Sequence, residues 1–265
     1  DVIFMFQPGE EGWDGAGKML DEGVLDAAGV PVVGAYGVHV SADQPQGNAY
    51  SRPGSYMAAF SRFDITVRGL GGHAARPENA LDPIAGGAAL LGQLQEYITR
   101  RFNIFDSIVL TTGMFHAGTA VNVIPESAQL AISVRTFTPE TTARAEAELP
   151  QVAREFLAAH GLGADITFET ILPATVNDDA EAHFFLDTFA DLFGTDRAHT
   201  VPHPRAGSED FSRVLQRVPG AYGHMGAAML GVDASQQEVN HSPRARHGDE
   251  GLGGQALFLA HLAAR

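Results

Sequence analysis

Two adjacent carboxylates, Glu10 and Glu11, follow an apolar run at residues 2–6 and the turn residues Gln7-Pro8-Gly9. An apolar run that ends at Pro-Gly is typical of a buried strand followed by a turn. Neighbouring carboxylates raise each other's pKa unless a cation lies close by. The pair therefore fits a metal site with a general base. It fits equally well the opening of a helix at residues 13–25, since acidic side chains favour a helix N-terminus.

Two histidines extend the set of potential metal ligands. His39 lies near the end of a second strand-like run, residues 32–40, and His241 precedes Ser242-Pro243. Carboxylate and imidazole are the ligands of hydrolytic Zn²⁺, Mn²⁺ or Co²⁺ sites. A histidine at a strand end is more often an ordinary core or edge residue, and His241 has the alternative of a turn residue. The spacing leaves both interpretations open.

The composition limits the classes of partner. The chain has 265 residues, a formal net charge of −15 and no cysteine. It therefore contains no disulfide or thiolate site, and its charge repels nucleic acid phosphates and anionic membrane surfaces. No apolar run has the length of a membrane span and no signal peptide is visible, so we expect a cytoplasmic protein without nucleic acid or membrane partners. Because the chain starts almost directly in a strand pattern, we also expect its N-terminus to be truncated.

The periodicity predicts one domain inserted into another. Strand, helix, strand, strand, helix and strand patterns follow one another at residues 63–67, 83–101, 108–115, 128–137, 141–160 and 165–169. This β-α-β-β-α-β order is that of a ferredoxin-like α+β module, which we place at residues 58–170. Residues 1–57 and 171–265 are predicted to form one α/β domain, with Ser208 as the N-cap of a helix that starts at Ser208-Glu209-Asp210-Phe211.

Seven motifs occur in order along the chain. They are Phe6-Gln7-Pro8-Gly9-Glu10-Glu11-Gly12, Gly37-Val38-His39-Val40, Gly71-Gly72-His73-Ala74-Ala75, Gly118-Thr119-Ala120-Val121-Asn122-Val123-Ile124-Pro125, Val134-Arg135-Thr136, Ser208-Glu209-Asp210-Phe211 and His241-Ser242-Pro243. The set closely resembles the M20 metallopeptidase superfamily. It is most similar to the amidohydrolase branch that includes hippurate hydrolases, N-acyl-amino-acid amidohydrolases and plant auxin-conjugate hydrolases. The resemblance extends from residue 2 to residue 252.

The resemblance implies a fold and an activity. The fold would be a zinc-exopeptidase-like α/β catalytic domain, N-terminally incomplete, with the ferredoxin-like module as a lid and dimerisation domain. The activity would be metal-dependent hydrolysis of the amide bond of an N-acyl amino acid. A complete enzyme of this kind would hold two divalent ions, Zn²⁺, Mn²⁺ or Co²⁺, and we expect a homodimer or homo-oligomer through the lid.

The resemblance also implies roles for single residues. Glu10 would be the general base, and Glu11, His39 and His241 would be metal ligands. His73 and Asn122 would reach toward the oxyanion of the tetrahedral intermediate, and Arg135 would bind the substrate carboxylate. A planar guanidinium suits carboxylate binding, although an exposed strand arginine is an equally common reading of this residue type. Glu209 is more readily explained as a supporting or helix-opening residue than as a catalytic one.

Three departures from the family pattern keep rival functions open. The upstream Cys-Gly-His-Asp type segment, which supplies two metal ligands, is absent from this chain. Pro77-Glu78 stands where relatives often carry a further histidine, and Arg244-Ala245-Arg246-His247 replaces the usual aromatic and acidic positions. The rivals are a catalytically incomplete or degenerate homologue that acts in binding or dimerisation, and a half-enzyme completed by a separate polypeptide.

Overall fold

A computed structural model describes residues 1–264. The chain divides into two compact units. One, here called the discontinuous unit, comprises Asp1–Met57, Thr175–Arg205 and the chain from Glu209 onward. The other, the inserted unit, comprises Ala58–Ala174 and Ala206–Ser208. The domain boundaries that the sequence predicts, between residues 57 and 58 and between residues 170 and 171, stay a prediction.

The described residues form seven α-helices and twelve strands. The helices are α1 (Glu10–Trp13), α2 (Gly15–Asp21), α3 (Pro83–Arg101), α4 (Pro139–Ala159), α5 (Asp179–Phe193), α6 (Ser212–Leu215) and α7 (Leu252–Ala263). The strands are β1 (Ala35–Ser41), β2 (Ala49–Ser51), β3 (Gly54–Met57), β4 (Ala59–Arg68), β5 (Gly72–His73), β6 (Ile108–Ala117), β7 (Val123–Ile124), β8 (Ser127–Thr136), β9 (Gly163–Leu172), β10 (Thr175–Asn177), β11 (Ala198–Thr200) and β12 (Gly220–Gly226). None of the described helices is both long and apolar enough to cross a membrane.

The discontinuous unit is built on a mixed four-stranded sheet in the order β1-β12-β2-β11. Strands β1 and β12 are parallel, β12 and β2 are antiparallel, and β2 and β11 are parallel. Helices α5 and α7 pack on this sheet through Phe185, Phe189 and Phe258, which are buried beside Ala221 and Met225 of β12. Strand β12 is buried along its whole length. It is therefore the central strand on which the unit is assembled.

The strand predicted at residues 2–6 is wrong. This segment carries no strand pairing, and the side chains of Phe4 and Phe6 are 76% and 86% exposed. Exposure still alternates along it, and Met5 packs against a buried cluster that includes Leu20. The segment thus has the alternation of a strand, but its backbone finds no neighbouring strand among residues 1–264 with which to form a ladder.

The single helix predicted at residues 13–25 is also wrong. The chain instead forms α2 and a separate 3₁₀ turn at Val24–Asp26. Asp14 and Gly23 adopt left-handed backbone conformations, with φ of 51° and 82°. A right-handed helix cannot continue through such residues, so the segment is broken on both sides of α2.

The inserted unit has the β-α-β-β-α-β order predicted from the sequence. Its antiparallel sheet runs in the order β6-β8-β4-β9, and α3 and α4 cover one face of it. The predicted helix at 83–101 is confirmed: Asp82 caps it by accepting hydrogen bonds from the backbone N–H groups of Ile84 and Ala85, and Pro83 occupies its first position. Alternate residues of the central strands point into this core.

A close approach between β1 and β12 yields a test of the fold. Gly220 pairs with Ala35 at the first rung of the parallel ladder, and a Cβ at Gly220 would overlap the Ala35 carbonyl oxygen. We expect Gly220→Ala to lower the free energy of unfolding by about 1–3 kcal/mol, because backbone must move to make room. Urea unfolding followed by circular dichroism measures the change.

Gly253→Ala is the matched control in the same unit. Gly253 lies in α7 and a Cβ there meets no atom within 4 Å, so alanine should leave stability unchanged or raise it by up to about 1 kcal/mol. Equal effects of the two substitutions would contradict the proposed tight approach of β1 and β12.

Candidate active site

The fold brings two of the predicted metal ligands, Glu11 and His241, close together. His241 Nδ1 lies 3.3 Å from Glu11 Oε1, and both side chains are well exposed. His241 has a left-handed backbone conformation with φ of 72°, and Glu11 departs from helical dihedrals within α1. A non-glycine residue in the left-handed region, such as His241, is uncommon and marks a turn whose surroundings determine its shape. The two residues come from segments 230 positions apart and meet only through the fold.

Asn240 anchors the His241 turn to the end of β1. Its Nδ2 donates to the Val40 carbonyl oxygen at 2.6 Å, and its Oδ1 accepts from the Ala42 N–H at 2.8 Å. His39 Nδ1 also lies 2.7 Å from the Val40 carbonyl oxygen. A carbonyl accepts and does not donate, so this contact places the ring proton on Nδ1 and leaves Nε2 of His39 with a free lone pair. Metal-binding histidines commonly hold their second ring nitrogen in this way.

The donor chemistry fits a divalent metal, and the assembled geometry is partial. Carboxylate and imidazole are present at Glu11, His39 and His241, but no group of three His, Asp or Glu side chains within residues 1–264 lies close enough to hold an ion. Glu11 and His241 form the pair, and the tautomer of His39 suits a ligand. The roles of the three residues as metal ligands remain a prediction.

Glu10 lies in an acidic and partly buried environment. Its pKa is raised to about 7, first by burial and then by the charges of Glu209, Asp210 and Glu11. A carboxyl group with a pKa near neutrality is suited to accept and release a proton at physiological pH. This is the property that a general base at this position requires.

The buried carboxylates that raise the pKa of Glu10 are held by donors from three segments. Tyr222 of β12 donates to Glu209 at 2.6 Å, and the backbone N–H of Ala16 in α2 donates to Asp210 at 3.0 Å. Gln7 Nε2 donates to both carboxylates. Burial is the first cause that raises the pKa of Asp210 to about 6. Sequence reasoning assigned no role to Asp210, Tyr222 or Gln7, because only the fold brings these side chains together.

Ser208-Glu209-Asp210-Phe211 does not start a helix as predicted. The nearest helix is α6, which starts at Ser212, and the Ser208 hydroxyl instead accepts a hydrogen bond from Arg135. Glu209 accepts from the N–H of Phe211 at 3.1 Å and is almost completely buried. Its supporting role, which the sequence favoured, is consistent with these contacts.

A second histidine, missed in the sequence, stacks on His39. His224 of β12 is in register with His39 of β1, and their ring centroids are 5.2 Å apart. The Tyr56 hydroxyl lies 2.6 Å from His224 Nδ1. Burial, then Arg205 and His39, lowers the pKa of His224 to about 2, so the ring is neutral. The imidazole of His39 therefore rests against an uncharged aromatic surface. Register on adjacent parallel strands was the only signal that could have identified it.

In the inserted unit, the fold brings His73 and Asn122 together. His73 of β5 pairs with Val123 of β7, and the Asn122 carbonyl accepts from the Ala74 N–H at 3.0 Å. The backbone N–H of Ala75 donates to His73 Nδ1 at 3.1 Å. That nitrogen is then the acceptor, so the neutral ring carries its proton on Nε2, as a hydrogen-bond donor. Both residues are exposed.

Comparison with known proteins gives the same family for both units. Residues 59–160 match the peptidase dimerisation domain of the M20 peptidases. An IAA-amino acid hydrolase of Arabidopsis thaliana is 33% identical over 100% of this chain and 59% of its own length. The N-acetylcysteine deacetylase of Bacillus subtilis is 32% identical over 99% of this chain and 65% of its own.

A solved structure supports the fold. A Bacillus subtilis protein described as a dinuclear metal binding peptidase from the M20 family superposes with a TM-score of 0.78 and 29% identity, over 97% of this chain and 63% of that chain. The chain is thus similar to M20 peptidases along its whole length, with a zinc-exopeptidase-like fold and an inserted unit that matches a peptidase dimerisation domain. It spans 59% and 65% of the length of these two curated relatives.

The buried pair Glu209 and Asp210 predicts a pH dependence of stability. The folded pKa of Asp210 is about 6, above the ordinary aspartate value of 3.8. Between these values the unfolded chain releases a proton that the folded Asp210 keeps, so the contribution of Asp210 to stability falls as pH rises from about 4 to about 6 and is then level. We expect Asp210→Asn to flatten this fall, which amounts to at most about 3 kcal/mol.

Urea unfolding at half-unit steps from pH 4 to pH 8 measures the effect. Asp187→Asn, a change at an exposed aspartate of α5 in the same unit, is the control and should leave a profile parallel to that of the wild type. A profile of Asp210→Asn that is also parallel to the wild type would show that Asp210 does not titrate in this range.

Proposed function

We propose that this protein takes part in the metal-dependent hydrolysis of the amide bond of N-acyl amino acids. The observation that carries the proposal is the environment of Glu10: a carboxyl group whose pKa is raised to about 7 beside Glu11, which pairs with His241. The names of two similar proteins, an IAA-amino acid hydrolase and an N-acetylcysteine deacetylase, support the same class of substrate.

Glu11, His39 and His241 would hold the metal in this proposal. A divalent metal supplies Lewis-acid polarisation and lowers the pKa of water to about 7. Zn²⁺, Mn²⁺ and Co²⁺ all suit this ligand chemistry, and the description of a similar protein as dinuclear supports two ions in a complete enzyme.

Proton transfer would be the work of Glu10. Its carboxylate takes a proton from water as the water oxygen bonds to the amide carbon, and returns it to the amine nitrogen as the C–N bond breaks. A base with a pKa near 7 is ionised in a large fraction of molecules at neutral pH and still protonates readily. The products are a carboxylic acid and a free amino acid.

His73, Asn122 and Arg135 of the inserted unit would act on the substrate. His73 presents an Nε2–H donor. The backbone of Asn122 lies next to that of His73, and an asparagine amide is also a donor, so both residues suit an oxyanion that develops negative charge. Arg135 suits the carboxylate of the amino-acid portion. The match of residues 59–160 to a dimerisation domain supports a homodimer formed through this unit.

A second candidate is a protein that binds or dimerises without hydrolysis. One observation favours it: no group of three His, Asp or Glu side chains among the described residues lies close enough to hold a metal ion. Metal content and turnover of the purified protein distinguish the two candidates.

The first test concerns proton transfer. Glu10→Gln keeps the size and hydrogen bonding of the side chain but removes the base, so we expect hydrolysis of N-acetyl amino acids and hippurate to fall at least about a hundredfold. Mn²⁺ uptake, measured by elemental analysis after dialysis, should be retained. Glu22→Gln, at an exposed glutamate after α2, is the control and should keep full activity. Retained turnover in Glu10→Gln would eliminate Glu10 as the base.

The second test concerns the ligand pair. We expect His241→Ala to lower the affinity for Mn²⁺ or Zn²⁺ by tenfold or more, because it removes an imidazole that the fold holds 3.3 Å from Glu11. Titration calorimetry with the metal alone measures this without any need for turnover. His261→Ala, on α7, is the control. Equal metal affinity of His241→Ala and the wild type would exclude His241 as a ligand.

A further inference from the structure

Arg135 is the one predicted substrate-binding residue, and its surroundings are unusual for an arginine. It lies on β8 between Val134 and Thr136. Because Ile132 and Val134 face the helix-covered core, the side chain of Arg135 points to the opposite face of the sheet. The side chain is half-buried there, and burial lowers the pKa of its guanidinium. No carboxylate of the described residues forms an ion pair with it, although Arg62 and Asp64 pair with each other on β4.

Two neighbours fix the position of this guanidinium. Phe60 of β4 stands directly opposite Arg135 in the antiparallel ladder, and the guanidinium carbon lies 4.3 Å from the centre of the Phe60 ring. One terminal nitrogen of Arg135 donates to the Ser208 hydroxyl at 3.1 Å. Ser208 is itself held in the inserted unit, where the adjacent Gly207 carbonyl accepts from the Ala58 N–H at 2.9 Å.

These contacts orient the guanidinium of Arg135 but do not neutralise its charge. The ring supports one face of the guanidinium and the hydroxyl occupies one nitrogen, so further N–H donors remain for a ligand. A half-buried positive charge without a carboxylate partner is costly, and an anionic ligand would remove that cost. A planar carboxylate matches two parallel N–H donors, which a lysine could not offer in the same geometry.

We propose that Phe60 and Ser208 are positioning residues, which hold Arg135 ready for the carboxylate of the substrate and so make the protein selective for N-acyl amino acids over their uncharged amides. The inference rests on the proposed function for the identity of the substrate. It goes beyond that function by assigning roles to Phe60 and Ser208 and by predicting selectivity against the amide.

Binding to a matched pair of ligands tests the proposal. Hippurate carries the carboxylate and hippuramide replaces it with a neutral amide. Titration calorimetry of both ligands is done in the Glu10→Gln background with Mn²⁺ present, so that hydrolysis does not interfere. We expect Ser208→Ala to weaken hippurate binding about 3- to 10-fold and Phe60→Leu about 2- to 5-fold, with hippuramide binding unchanged in both.

Conservative variants and a neighbour separate positioning from loss of structure. Ser208→Thr and Phe60→Tyr keep the hydroxyl and the ring, so they should restore the affinity for hippurate. Ser133→Ala, two residues from Arg135 on the same face of β8, is the control and should bind both ligands as the parent does. Equal losses for hippurate and hippuramide, unchanged hippurate binding in Ser208→Ala and Phe60→Leu, or no hippurate binding by the parent would each overturn the proposal.

Parallel initial rates distinguish this inference from the proposed function. A wild-type protein that binds hippurate selectively but does not hydrolyse it would refute the function and leave the positioning roles standing. Turnover of hippurate with no increase of KM in Ser208→Ala or Phe60→Leu would refute the positioning roles and leave the function standing.

Discussion

The discontinuous unit depends on two adjacent carboxylates, Glu209 and Asp210, that are almost completely buried. Buried carboxylates are stable only where hydrogen-bond donors surround them, and here the donors come from β12, α2 and the segment that carries Gln7. The pair therefore ties together parts of the chain about 200 positions apart. Burial is the first cause that raises the pKa of Glu10 toward neutrality, and the charges of this pair raise that pKa further. One interaction thus serves both the packing and the chemistry.

The parallel ladder between β1 and β12 supplies the second constraint. It places His39, a predicted metal ligand, beside His224, whose neutral ring is an aromatic neighbour that adds no charge. Asn240 holds the turn that carries His241 at the end of β1. The Val40 carbonyl there accepts hydrogen bonds from both Asn240 Nδ2 and His39 Nδ1. The hydrogen bonds to the Val40 carbonyl thereby determine both the tautomer of His39 and the position of the turn that carries His241.

The inserted unit has its own core and its own polar features. Its antiparallel sheet and two helices bury one continuous apolar cluster, so its fold does not require the mixed sheet of the other unit. On the face away from the helices, Arg135 is held by Phe60 and Ser208, and on the short β5–β7 pairing His73 and Asn122 become neighbours. Each of these groups joins residues that the sequence separates by tens of positions, as antiparallel pairing readily does.

The sequence by itself determined the similarity to M20 peptidases, the order of elements in the inserted unit and the residues with suitable chemistry. Local signals were sufficient there: Asp82-Pro83 begins α3, and alternation marks β4 and β8. Only the tertiary structure decided which residues meet. The strand expected at residues 2–6 lacks a partner, and the helix expected at residues 13–25 is broken by left-handed residues. Burial of Asp210, stacking of His224 and the isolation of Arg135 from carboxylates depend on contacts between distant segments, for which a single sequence carries no periodic signal.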